Sequence, residues 1–243
     1  MCGRFTLSTT ASDLAREFNI EVDIASHYKE SHSSATRIDS FNIAPSQPIL
    51  TIRQNEINER ILDVMKWGLV PSWVKNLDSW KSNLINARAE TVTEKPSFRG
   101  AFKYRPCLIP VSGFYEWTKS LGQRSLASYA DAGSDRKQPY YFQHKERSLF
   151  ALAGLWESWG NGEDEFISCT IITTQANEKA ASIHHRMPVI IQPEDYTLWL
   201  GNLDERKQLL TNLPEIELKI YPVSKMVNSP KNNKPECIEP INI

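Results

Sequence analysis

The pattern of apolar and polar positions along the chain carries few helix signals. Residues 10–19 place Leu14 and Phe18 four apart behind Thr and Ser caps, and residues 176–184 and 193–200 have the same character. All three predict short helices. Strand-like runs fill most of the remainder, at 49–53, 61–67, 107–117, 140–144, 149–156, 166–173, 188–191 and 216–223. This excess of strands predicts an α+β fold: a single compact domain with a curved, mostly antiparallel or mixed β-sheet core, barrel-like, flanked by short helices. Two polar segments, 26–40 and 119–138, interrupt the pattern and are expected to be surface loops. The second lies between strand-like runs, as an enlarged hairpin connection would.

At 243 residues the chain is long enough to bury a real core and within the range of one domain, 1–243. The 40% apolar and 23% charged residues are ordinary for a globular protein, and the 7 Trp supply anchors for a core or a binding surface. The 28 Lys and Arg against 29 Asp and Glu mean that any nucleic-acid contact must come from a local basic surface. Bulk charge does not suggest DNA.

The four cysteines, Cys2, Cys107, Cys169 and Cys237, form no C-x-x-C pair and have no histidines at ligand spacing, so neither a metal nor a cofactor is expected. There is no apolar stretch of signal-peptide or membrane-spanning length. A cytoplasmic, monomeric protein with reduced thiols and no membrane partner is the expectation.

A reduced thiol matters at position 2. Methionine aminopeptidases remove Met ahead of a small residue, which would leave Cys2 with a free α-amine beside its thiol. Reference pKa values of about 8 for the amine and about 8.5 for the thiol leave some of each nucleophile available near neutral pH. An amine attacks an aldehyde to give an imine, and a thiol two carbons away closes a five-membered thiazolidine, favoured by the high effective molarity of an intramolecular step. The ring-opened form of an abasic deoxyribose is such an aldehyde, carried on a polyanionic backbone. Arg4, two residues on, is suited to a flanking phosphate. By itself, a cysteine at position 2 is more often incidental and buried.

Motifs elsewhere change that balance. Met-Cys-Gly-Arg-Phe at the start is followed by Asn-Ile-Ala-Pro at 42–45, Met-Lys-Trp-Gly-Leu-Val-Pro-Ser-Trp at 65–73 and Ile-Asn-Ala-Arg-Ala-Glu-Thr at 85–91. Pro-Cys-Leu-Ile-Pro-Val-Ser-Gly-Phe-Tyr-Glu-Trp occupies 106–117, Ile-His-His-Arg-Met-Pro-Val-Ile 183–190 and Pro-Val-Ser-Lys-Met-Val-Asn 222–228. From residue 2 to about 230 this resembles the SOS response-associated peptidase (SRAP) family of abasic-site processing proteins.

The resemblance implies a cleft for single-stranded DNA containing abasic sites and a thiazolidine crosslink to Cys2 that shields the lesion in the DNA damage response. It implies catalytic roles for Cys2, Asn86, Glu116 and His184, and DNA contacts at Arg4, Asn86, Arg88, Trp67 and Trp73. Position 185 is His where family members often have Asp; His184 is taken as the chemical one. Autopeptidase or lyase activity is a minor expectation.

The residue types suit these roles. Glu116 ends an aromatic strand, where desolvation raises a carboxyl pKa towards the range useful for proton transfer; a rim carboxylate paired with Lys is the plainer reading. An imidazole at His184 could protonate the sugar ring oxygen as it opens, or simply cap a helix. Asn86 can only hydrogen-bond, and Arg88 shares its face if the stretch is extended. Trp67, in an apolar run, is expected to be partly core, and Trp73, after Val-Pro-Ser, to be the better stacking surface. Two other functions fit an N-terminal cysteine: an N-terminal-nucleophile cysteine peptidase, and a non-catalytic binder of single-stranded DNA.

Overall fold

A computed structural model of the protein describes residues 2–20, 37–118, 137–160 and 165–243. In chain order these form β1 (Phe5–Thr10), α1 (Ala11–Phe18), β2 (Arg37–Ile43), β3 (Pro48–Gln54), β4 (Arg60–Trp67), β5 (Asn86–Arg88), α2 (Arg99–Tyr104), β6 (Pro106–Val111), β7 (Gly113–Trp117), β8 (Pro139–His144) and β9 (Phe150–Trp159). Then come β10 (Phe166–Gln175), α3 (Glu178–Ala181), β11 (Arg186–Pro188), β12 (Ile190–Ile191), α4 (Tyr196–Leu200), α5 (Leu203–Thr211) and β13 (Leu218–Pro222).

Five of these strands close on themselves. β10 pairs with β4 in parallel, and the antiparallel pairs β4–β3, β3–β6, β6–β9 and β9–β10 complete a barrel. Closure removes the unpaired edges that an open sheet would expose. A second sheet of five strands, in the order β13–β8–β7–β1–β2, lies against it, and one apolar core takes Phe5, Phe114 and Phe142 from this sheet together with Ile52, Leu108 and Ile171 from the barrel. The α+β class and the barrel-like mixed sheet expected from the sequence are what the chain adopts.

The differences have local causes. The run 107–117 is two strands, because Ser112 and Gly113 carry the chain from the barrel into the second sheet. A Cβ on Gly113 would meet the Tyr141 ring at 2.3 Å, so only glycine fits that crossing. Of the loop expected at 26–40, residues 37–40 belong to β2, paired with β1, while the rest of it lies outside the described residues. The 119–138 segment also lies outside them, save its last two residues. It joins β7 to β8, which pair antiparallel with Trp117 opposite Pro139, as a hairpin connection does.

Helix α1 forms where expected: the Thr10 side chain accepts from Asp13 N–H, Leu14 and Phe18 are buried, and Asn19 closes the end in the left-handed region at φ 49°. The expected helix at 176–184 is only the four residues of α3, and that at 193–200 is a 3₁₀ turn, Pro193–Asp195, running into α4. Helices α2 and α5 have no apolar stripe to betray them. The buried side chain of α5 is Arg206, 1% exposed, whose guanidinium donates to the carbonyls of Trp199 (2.7 Å), Phe102 (2.5 Å) and Gly201 (2.6 Å). A single cation thus satisfies the C-terminal carbonyls of α2 and α4. Burial pulls its pKa down to about 10. Replacing it by the apolar Arg206→Met strands those carbonyls, and is expected to lower stability by about 3 kcal/mol in urea denaturation; a loss below about 0.5 kcal/mol would show that the carbonyls find other donors.

Candidate functional site

The N-terminal strand is the starting point. β1 runs between β2 and β7, with Phe5 opposite Phe114, and Tyr115 N–H donates to the Arg4 carbonyl at 2.9 Å. Continuing that antiparallel register brings residues 2 and 3 alongside Glu116. Cys2 is fully buried, and its thiol pKa is pushed well above the usual range by burial and then by the Glu116 carboxylate. Glu116 itself is 3% exposed, and desolvation raises its pKa to about 7.

The second flank of the site is β5, which joins β10 in parallel with Asn86 opposite Ile171. Ala87 turns into the core, so Asn86 and Arg88 share the opposite face. Asn86 Nδ2 donates to the Cys2 carbonyl at 2.8 Å. Its Oδ1 is buried with no hydrogen-bond partner among the described residues, an acceptor left open beside Cys2. Arg88 is exposed.

His184 follows α3, and its Nδ1 meets both the N–H (3.1 Å) and the carbonyl (3.0 Å) of Arg186. The same Nδ1 lies 3.8 Å from Glu116 Oε2. Cys2, Asn86, Glu116 and His184 therefore come together from β1's leading edge, β5, β7 and the α3–β11 turn. His185 is exposed, and its ring lies tilted at 37° to that of His184 with centroids 4.5 Å apart.

The structure divides the remaining candidates. Trp67 is wholly buried, so the expectation that it contacts DNA is corrected: no face of its ring is open for stacking. It packs against Phe5 at 5.1 Å and donates its Nε1–H to the Ile85 carbonyl at 3.0 Å, buttressing the segments that carry Cys2 and Asn86. Trp73 is 56% exposed and meets Trp80 edge-on at 5.6 Å. Arg4 is half-buried; its Nη1 donates to Asn42 Oδ1 (2.6 Å) and the Val227 carbonyl (2.7 Å), joining β1 to the 3₁₀ turn Lys225–Asn228. A phosphate would have to take one of its other N–H groups.

Two groups escaped the sequence reading. Arg186 donates to both oxygens of Glu90 and to the Thr173 carbonyl, fixing β11 against β10 and the turn after β5; its place directly after the histidines was the available signal. Beneath Trp73, Trp159 Nε1–H donates to the Val74 carbonyl at 2.6 Å, and the buried Glu157, bridged to Arg105 at 3.1 Å, accepts from Ser72. These contacts hold the 71–74 turn on the end of β9, and no sequence motif marks them. Among the described residues no group of His, Cys, Asp and Glu could hold a metal ion, and no helix is long and apolar enough to cross a membrane.

Over residues 1–230 the chain matches the family described as SOS response associated peptidase (SRAP). The chain belongs to the SRAP family. It is 41% identical over 244 residues to abasic site processing protein YoqW of Bacillus subtilis (strain 168), covering 98% of this chain and 99% of that one. It is 31% identical over 232 residues to abasic site processing protein HMCES of Pongo abelii, covering 84% of this chain and 66% of that protein. The crystal structure of a protein from Bacteroides thetaiotaomicron superposes with a TM-score of 0.77 at 25% identity, covering 99% of this chain and all of that one. The SRAP fold thus supplies the frame in which β1, β5, β7 and the α3–β11 turn meet.

The raised Glu116 pKa has a consequence for stability. Its carboxyl binds a proton more tightly folded than unfolded, so stability falls as pH rises from about 4.5 to about 7 and the penalty is complete above that. Glu116→Gln removes the group that ionises. The variant is expected to be more stable than the parent at pH 8, by ~3 kcal/mol from the shift, with the gap closing below pH 4.5. Thermal denaturation of both proteins across pH 4 to 9 measures it; parallel curves would contradict the burial argument.

Proposed function

We propose that this protein processes abasic sites in single-stranded DNA by forming a covalent thiazolidine between Cys2 and the ring-opened deoxyribose, a lesion-shielding activity of the DNA damage response. The observation that carries the reading is the convergence of Cys2, Asn86, Glu116 and His184 from four separate segments, with Glu116 poised near neutrality. The names of the relatives YoqW and HMCES point to the same substrate.

Removal of Met1 gives Cys2 its α-amine. The buried thiol is protonated at neutral pH, so the amine is the first nucleophile. Glu116, ionised in part near pH 7, takes a proton from the α-ammonium; the amine adds to the C1′ aldehyde; and the proton returns to the carbinolamine oxygen, which leaves as water. The imine carbon then receives the sulfur of Cys2, and the thiol proton passes to the nitrogen. The aldehyde and the aminothiol become thiazolidine and one water.

His184 donates a ring proton to the sugar ring oxygen while the ring opens. Asn86 holds the Cys2 carbonyl through Nδ2 and offers its open Oδ1 to the amine or a sugar hydroxyl. Arg88 and Trp73, both exposed, provide a phosphate contact and a base platform.

The deciding experiment mixes Met-processed protein with a labelled single strand containing one abasic site and resolves the products on a denaturing gel. A shifted band is expected with the parent and none with Cys2→Ala, which should retain DNA affinity; an adduct of undiminished yield from Cys2→Ala would sink the proposal. No band from parent protein whose N-terminus is verified as Cys2 would instead favour the peptidase reading. The crosslinking rate of the parent is expected to show an inflection near pH 7 that Glu116→Gln lacks, with the variant at least tenfold slower at its best pH. Equal rates would remove Glu116 from the chemistry.

A further inference from the structure

Strand pairing fixes which side chains continue the site beyond Glu116. Glu116 on β7 is opposite Tyr140 on β8, and Tyr140 is opposite Pro222 on β13, so the three share one face of the second sheet. On that face β13 also presents Ile220 and Leu218. Helix α3 and the residues after it lie across this surface and lead directly into His184. Between them runs an open groove of about 380 Å³, lined by Tyr140, Lys179, Ser182, Ile183, Leu218 and Ile220. One end therefore adjoins both Glu116 and His184.

We propose that this groove is a subsite for the nucleotide flanking the abasic deoxyribose on one side, its base against Tyr140 and the aliphatic wall and its phosphate on Lys179. The inference rests on the abasic-site reading and gives it a polarity, since only one flank of the strand can enter. Two observations select a nucleotide as the occupant. The groove is next to the site where the sugar would react, because its lining residue Tyr140 is the cross-strand neighbour of Glu116 and its lining residue Ile183 directly precedes His184. Its chemistry is also mixed in the way single-stranded DNA requires, an aromatic and aliphatic wall beside a lone cation.

Lys179 is exposed and, among the described residues, has no carboxylate at ion-pair distance. Glu217, whose carboxylate feels its charge, is already paired with Lys145. The cation is thus available to a phosphate, while Ser182 Oγ is turned back to the Lys179 carbonyl and ties off the end of α3.

The test uses full-length parent and the double variant Tyr140→Leu/Lys179→Glu, with fluorescent abasic single strands in which the lesion is central, at the 5′ end or at the 3′ end. In the parent, loss of one particular flank is expected to raise the half-saturating DNA concentration for crosslinking about tenfold, and loss of the other much less. The variant should carry that penalty on the central-lesion strand and lose nothing further when the same flank is removed. A variant that binds the central-lesion strand as tightly as the parent, or that loses the same factor again on truncation, overturns the subsite.

Anisotropy with undamaged single strands separates this from the chemistry. Lys179→Ala, which alters one exposed side chain, should flatten the slope of log affinity against log salt by about 0.7. An unchanged slope overturns the phosphate contact whether or not a crosslink forms, whereas a flattened slope without any crosslink would leave the groove standing and overturn only the covalent reading.

Discussion

The pairing of β1 between β2 and β7 is the constraint on which the rest of the site depends. Chain termini fray unless something ties them down, and a nucleophile at residue 2 would ordinarily sample many positions. Here the strand that begins at Phe5 has a neighbour on both sides, Arg4 reaches across to Asn42 and Val227, and Asn86 grips the Cys2 carbonyl. Residues 2 to 4 are thereby tied to the core. Pinning also explains the burial of Cys2, because a terminus enclosed by a sheet and by β5 has little access to water.

Burial then sets the electrostatics. Glu116 has lost most of its hydration, and its pKa rises to about 7; burial and the Glu116 carboxylate raise that of the Cys2 thiol as well, away from the reactive thiolate. Desolvation disfavours the charged form of both groups, so the thiol keeps its proton while Glu116 gains or loses one near neutrality. This is the opposite arrangement to a cysteine activated as a thiolate by a neighbouring cation, and it favours chemistry that starts at nitrogen. The same desolvation makes the ionised site a liability to the fold at alkaline pH.

Support comes from residues with no chemistry of their own. Trp67 underlies Phe5 and holds the Ile85 carbonyl, so one ring sets the spacing between the Cys2 and Asn86 segments. Arg186 clamps Glu90 and Thr173 beneath β5, and Trp159 with Glu157 carries the turn that exposes Trp73. Each acts across a large separation in sequence. The tight crossing at Gly113, which turns the chain out of the barrel, is what allows Glu116 to face the second sheet while Cys107 stays in the barrel core.

The sequence alone determined much of this. Short apolar runs rich in β-branched and aromatic residues determined the strands, because such side chains suit extended backbone whatever it pairs with. Thr10, Leu14, Phe18 and Asn19 determined α1, because capping and a four-residue spacing are local. The ordered motifs, read as an SRAP resemblance, named Cys2, Asn86, Glu116 and His184. What only the tertiary structure decided is long-range: that 107–117 divides between two sheets, that α5 is held by a buried Arg206, that Trp67 is inside and Trp73 outside, that Arg186 is paired to Glu90, and that a groove runs between α3 and the face of the second sheet that carries Tyr140. Pairing, burial and desolvation depend on which distant segments meet, and local pattern carries no record of the partner.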